Sequence, residues 1–186
     1  ADRTTFTARF AKLFFGTDDQ DLVRAIEALG DVTHLGVNAY YQSVWQHIFF
    51  AGPGHDLFTS KRREAWLCRG GNIRRGKVRL DARLGHDTLK RLGKVRDVFD
   101  TTARRAGIDP HGVLPYWIFA VDTLVHAARK LTVLGPGGRD TPAARKALKR
   151  EMTSLARRFK TLWLARNRTS EIRITLKRYQ TAIRAL

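Results

Sequence analysis

Cysteine is nearly missing from this sequence. Cys68 stands alone, so no intramolecular disulfide can form and a cysteine-based zinc site is excluded. Long apolar runs are missing as well. None approaches 18 residues, so no transmembrane helix and no membrane partner are expected. Residues 1–15 lack the charged start, long apolar centre and cleavage site of a signal peptide. These two absences tilt the expectation towards the cytoplasm without fixing a compartment, because a fragment of a secreted enzyme would look the same. The chain also begins at Ala1 without an initiator Met, as a processed product or a piece of a longer protein would.

Catalytic and cofactor signatures are equally scarce. The six histidines, His34, His47, His55, His86, His111 and His126, show no HxxxH or HExxH spacing, so no metal is expected. His126 lies on a largely apolar stretch, where a satisfied core or boundary residue is the expected role. Gly70-Gly71 and Gly135-Pro136-Gly137-Gly138 lack the GxxxxGK[ST] pattern of a phosphate loop, and no cofactor is expected. There is no GxSxG and no supported Cys-His motif. Asp97 and Asp100 share a helix face by spacing, but Lys94, Arg96 and Arg104 stand ready to pair with them. Two facing carboxylates at a sugar site, as glycosidases need, cannot be assembled. The chain by itself does not read as an enzyme.

What is present is helical periodicity. The chain has 186 residues, 43% of them hydrophobic, enough for one domain with a core. Phe6, Phe10, Leu13 and Phe14 predict an amphipathic helix over 3–15, ended by Gly16. Thr17 and Gln20 have the spacing of a capping box for a second helix, which uses Leu22, Ile26 and Leu29 and ends at Gly30. A third is expected from about His34 to Phe50. A short helix is expected from Ser60 to Cys68. Long helices follow over Leu80–Ala106 and Val113–Leu134, the latter nearly buried. Thr141-Pro142 starts another, as cap and first helical residue. Its seam is Leu148, Met152, Leu155, Phe159 and Leu162, with Trp163 beside it. After Arg166-Asn167-Arg168, the seam Ile172, Leu176, Tyr179, Ile183 and Leu186 marks a last helix. Asn167 suits a left-handed helix end, Thr169 or Ser170 a new cap, and Arg166 the negative end of a helix dipole. That stretch therefore reads as a joint rather than a binding site. No strand is expected. The expected fold is all-α, an antiparallel bundle of about six to seven helices. It forms one domain over 1–186, with mildly acidic helices over 1–52, a basic irregular loop over 53–79 and long basic helices over 80–186.

Charge divides along the chain. Residues 1–58 carry net −3, and residues 59–186 carry net +21. Such an excess points to nucleic acid or another polyanion, although an ordinary solvated helix surface has the same composition. The candidate contacts are Lys61, Arg62, Arg63, Arg69, Arg74, Arg75, Lys77 and Arg79. A second set, Arg145, Lys146, Lys149, Arg150, Arg157 and Arg158, falls opposite the Leu148–Leu162 seam. Trp66, beside the first set, could stack on a base and reads more readily as a core anchor. Helix-turn-helix, zinc-finger and RNA-recognition signatures are absent.

Two stretches carry a family likeness. FTARFAKLFFGTDDQDLVRAIEALG, residues 6–30, and FKTLWLARNRTSEIRITLKRY, residues 159–179, resemble the helical region that follows the catalytic barrel in bacterial glycoside hydrolases of family 20, the β-N-acetylhexosaminidases. The likeness covers about a quarter of the chain. It implies a non-catalytic C-terminal accessory domain. Its partner would be the upstream catalytic domain of the same polypeptide, or a second copy through dimerisation. The family's Asp-Glu pair belongs to the barrel. No Asp-Glu dipeptide occurs here, so no catalytic residue carries over. Thr169 stands where the pattern has Pro, and a net charge of +18 is unusual for a glycosidase.

Overall fold

The structure, a computed structural model, describes residues 2–33, 35–36, 44–59, 64–69, 72–105, 107–170 and 172–186, with backbone alone for 33, 35–36, 64–69 and 72–78. Among these residues there are eight helices: α1 (Arg3–Phe15), α2 (Gln20–Thr33), α3 (Val44–Phe50), α4 (Asp56–Thr59), α5 (Ala82–Ala103), α6 (Leu114–Leu134), α7 (Pro142–Leu164) and α8 (Ile172–Ala185). The expected helical bundle forms. It is joined by a small antiparallel sheet, β1 (Leu35–Gly36), β2 (Glu64–Arg69) and β3 (Asn72–Arg79), in the order β1-β2-β3.

Local chemistry sets the helix ends. Asp2 caps α1 by accepting from the Thr5 backbone N–H, and Gly16 closes it in the left-handed conformation at φ 74°. The capping box at Thr17 and Gln20 does not form. Asp19 takes the role instead, its carboxylate accepting from the Asp21 and Leu22 backbone N–H groups at 2.8 and 3.3 Å. Its negative charge also suits the helix end better than a hydroxyl does. Helix α2 runs through Gly30 to Thr33, because packing overrides the single glycine. Asp81 and Thr141 cap α5 and α7, and Pro142 opens α7.

Within the stretch expected to be an irregular loop, 53–79, Asp56–Thr59 is a short helix, and Glu64–Arg69 and Asn72–Arg79 are paired antiparallel strands. Glu64 pairs with Arg79, Trp66 with Lys77, and Arg69 with Asn72, with a register shift between Trp66 and Leu67. Of the helix expected from Ser60 to Cys68, residues 64–68 lie on β2 instead, and 60–63 lie outside the described residues. Of the helix expected from His34 to Phe50, only Val44–Phe50 is helical, and Leu35–Gly36 pairs with Trp66 and Leu67. The remainder of that stretch, 34 and 37–43, lies outside the described residues.

Helix α6 is the centre of the bundle and packs against α5, α3 and α7. Its residues Val121, Ala127, Ala128 and Leu131 are fully buried. Helices α5 and α6 approach closely at Gly85, where a Cβ would lie 2.7 Å from Thr132 Cγ2 and 2.8 Å from the Ala128 carbonyl oxygen. Phe15, Phe99 and Trp117 form one aromatic cluster, and Phe49, Phe50, Phe159 and Tyr179 another. The seam of α7 is buried at Leu148, Met152 and Leu155.

Helix α1 is rotated so that only Phe10 of its apolar stripe packs against the core, on Phe15 and Trp117. Its buried residues are Thr7, Ala11 and Phe15. Phe6 and Leu13 are 65% and 68% exposed, and Phe14 is exposed as well.

Candidate functional site

Three arrangements in the described residues bear on function. The first is a buried polar cluster where α6 faces α3 and α7. Lys130 is fully buried, and its ammonium donates to the Phe49 and Ala51 carbonyl oxygens at 2.9 and 2.5 Å. These carbonyls belong to the C-terminal end of α3, where a cation meets the negative end of the helix dipole. Burial nevertheless lowers the Lys130 pKa to about 7. One turn earlier, His126 is also buried. Its Nδ1 lies 3.2 Å from Glu151 Oε2, and its Nε2 has no hydrogen-bond partner. Burial lowers the His126 pKa more than Glu151 raises it. The imidazole is therefore neutral near pH 7, with Nδ1–H donating to Glu151 and a bare acceptor at Nε2. Burial opposes ionisation of Glu151, but the contacts from His126 and Arg129 outweigh it and hold the pKa low. The Lys130 nitrogen is fully enclosed and spends its hydrogen bonds on two carbonyls of α3, and His126 meets Glu151 of α7, so the cluster ties α6 to both helices. That agrees with the core role expected of His126.

The second is an aromatic groove of about 450 Å³ between α3, α6, α7 and α8. Phe49, Phe50, Phe119, Phe159 and Tyr179 line it, and the Arg178 guanidinium lies over the Phe50 ring at 4.3 Å. Burial raises the Tyr179 pKa, so its hydroxyl stays protonated.

The third is the basic surface. Carboxylates neutralise part of it. Asp122 takes Arg96 at 2.7 Å from α5 and Arg158 at 2.5 Å from α7, linking three helices. Asp140 takes Arg145, and Glu151 takes Arg129. Asp100 pairs with Arg96, one of the partners expected from the spacing.

Of the candidate polyanion contacts, Lys61, Arg62 and Arg63 lie outside the described residues. Arg69 ends β2, and Arg74, Arg75 and Lys77 lie on β3. Arg79 ends β3 and is exposed, 3.8 Å from Asp81. The hairpin thus draws Arg69, Arg74, Arg75, Lys77 and Arg79 onto two paired strands. Trp66 is on β2 opposite Lys77. The sequence signal for this hairpin is Gly70-Gly71, a two-residue link between segments with β-formers.

At the joint, α7 ends at Leu164 without a left-handed residue at Asn167. Among the described non-glycine residues, only Asp109 has positive φ. Instead the Asn167 side chain donates to the Trp163 carbonyl at 3.1 Å. Arg166 lies beyond the last turn. It donates to the His111 and Gly112 carbonyls and covers the Tyr116 ring at 4.9 Å. It is a staple between the joint and the α5–α6 loop.

Among the described residues no group of three His, Cys, Asp or Glu side chains could hold a metal. No helix there is long and apolar enough to cross a membrane. Searches of family models, curated proteins and solved structures match nothing to this chain.

Proposed function

We propose that this chain is a non-catalytic helical module that packs on a second folded domain. The reading takes that domain to be the catalytic barrel of a β-N-acetylhexosaminidase-like glycoside hydrolase. The observation that carries it is α1. This helix lies within one of the two stretches with the family likeness, and among the described residues it leaves Phe6 and Leu13 mostly exposed, with Phe14 beside them stacked on Phe10. Contiguous exposed apolar surface of this kind marks an interaction site. The second stretch supports the same reading, since LWLARNR builds a structural joint through Trp163, Arg166 and Asn167 rather than a ligand site.

The test is the coding sequence upstream of Ala1. The reading expects a barrel-encoding segment containing an Asp-Glu pair. A stop codon or an unrelated domain there would overturn it. A fusion of barrel and bundle should also lose stability on Phe6→Lys/Leu13→Lys substitution, where the isolated bundle does not.

A further inference from the structure

Helix α7 carries a line of cations that the fold leaves uncompensated. Lys146, Lys149, Arg150, Arg157 and Lys160 are all exposed. At 3.6 residues per turn they share a sector of about 100°, opposite Leu148, Met152 and Leu155, and span about 21 Å of helix. No ion pair reaches any of the five among the described residues. The nearby carboxylates are committed elsewhere, Asp140 to Arg145, Glu151 to Arg129 and Asp122 to Arg96 and Arg158. Helix α8 packs along α7 and has no carboxylate at all.

Their position along the helix is the second argument. Lys146 falls at the start of the second turn of α7, whose first turn contains no acidic residue, and Lys149 and Arg150 follow about one turn on. Of the five, Lys146 is the one close enough to oppose the positive end of the helix dipole. Lys146 and Lys149 also line a cleft of about 490 Å³ at that end, with Thr141, Leu186 and the Asp140–Arg145 ion pair, so that the two lysines are its net charge from side chains. An anion spread along the stripe would relieve both the mutual repulsion and the clash with the dipole. No aromatic side chain stands in the sector to stack on an unpaired base. The partner that fits is thus one presenting phosphates at regular spacing with its bases hidden.

We infer that the solvent face of α7 binds the phosphate backbone of double-stranded nucleic acid without reading its sequence. The inference is independent of the accessory-module reading. Glutamine at all five positions forms the stripe variant. A control with Arg9, Arg83, Lys90, Arg91 and Lys94 changed to Gln removes the same charge from exposed positions elsewhere. Binding of a random-sequence 24-bp DNA duplex is followed by fluorescence anisotropy from 50 to 200 mM salt. Five phosphate contacts give a log–log slope of about −4.5, or an affinity loss of about 500-fold over that range. The stripe variant should lose most of that slope, and the control should keep it. Equal losses in both variants would show that net charge alone binds, overturning the inference. So would a wild-type slope in the stripe variant. Stripe-dependent capture by anionic phospholipid vesicles or heparin, with none by the duplex, would overturn it in favour of another polyanion. Without ligand at low salt, the stripe variant should melt no lower than wild type, because it removes like-charge pairs at i,i+3 and i,i+4 spacing. A lower midpoint would show that the cations serve the fold and would overturn the argument. The smaller Lys146→Gln/Lys149→Gln variant should shift both readouts in the same directions.

Discussion

Replacing Lys130 with Met should abolish a rise in stability between pH 7 and pH 9. In the folded chain the ammonium is fully buried against two carbonyl oxygens, and its pKa falls from 10.5 to about 7. In the unfolded chain it titrates at the ordinary value. Between those two pH values the unfolded chain holds a proton that the folded chain has released, so stability rises with pH. The penalty for charging Lys130 is fully present below pH 7 and disappears as the pH approaches 10.5. At about 1.36 kcal/mol per unit the whole penalty is about 5 kcal/mol. The part recovered from pH 7 to pH 9 is about 2.3 kcal/mol. For a chain of this length that is a shift in Tm of about 5–9 °C. Urea unfolding of wild type and Lys130→Met at pH 7, 8 and 9 reads it as the difference between the two. The Cys and Tyr titrations common to both proteins cancel, and His126 is already neutral in the folded state. The lost bonds to Phe49 and Ala51 appear as a constant offset, while the proton appears as the slope. A difference that is flat to within about 0.5 kcal/mol would refute the reasoning. It would mean that the two carbonyls hold the proton as firmly as water does.

Further predictions rest on single contacts. Gly85→Ala should destabilise by about 1–3 kcal/mol in calorimetry, because its Cβ enters the α5–α6 contact at the Ala128 carbonyl. Asp109 accepts from the Val113 and Leu114 backbone N–H groups at 2.7 and 2.9 Å, so Asp109→Ala should cost about 1–2 kcal/mol in urea unfolding. In the isolated chain, Phe6→Lys/Leu13→Lys should change stability by no more than about 0.5 kcal/mol, whereas Phe15→Ala should cost about 3–5 kcal/mol. An Arg96/Arg158 double-mutant cycle should show coupling through Asp122 of about 0.5–1 kcal/mol, weakening with added salt.

The residue order alone determined the helices whose ends are written in local chemistry. Thr141-Pro142 starts α7, Gly16 ends α1, and the 4-3 seams of α7 and α8 face the core. The caps and the left-handed Gly16 depend on residues within one turn of one another, and here the packed chain kept them, whereas it ran α2 through Gly30. The joint at Arg166-Asn167-Arg168 was legible in the same way, though not its partners, since the His111 and Gly112 carbonyls come from a loop more than 50 positions away. Tertiary structure alone decided the rest. The stripe Phe6, Phe10, Leu13 and Phe14 announces an amphipathic helix, but its orientation depends on the surface that α1 meets, and the bundle takes in Thr7, Ala11 and Phe15 with Phe10 alone from the stripe. Nothing in the residue order singles out Lys130, whose burial follows from α3 ending against it. The α7 cations reveal their lack of partners only once Asp122, Asp140 and Glu151 are seen to be taken. Periodicity fixes which residues share a face. Burial and charge balance belong to whichever element comes to lie against that face, and that is a property of the packed chain.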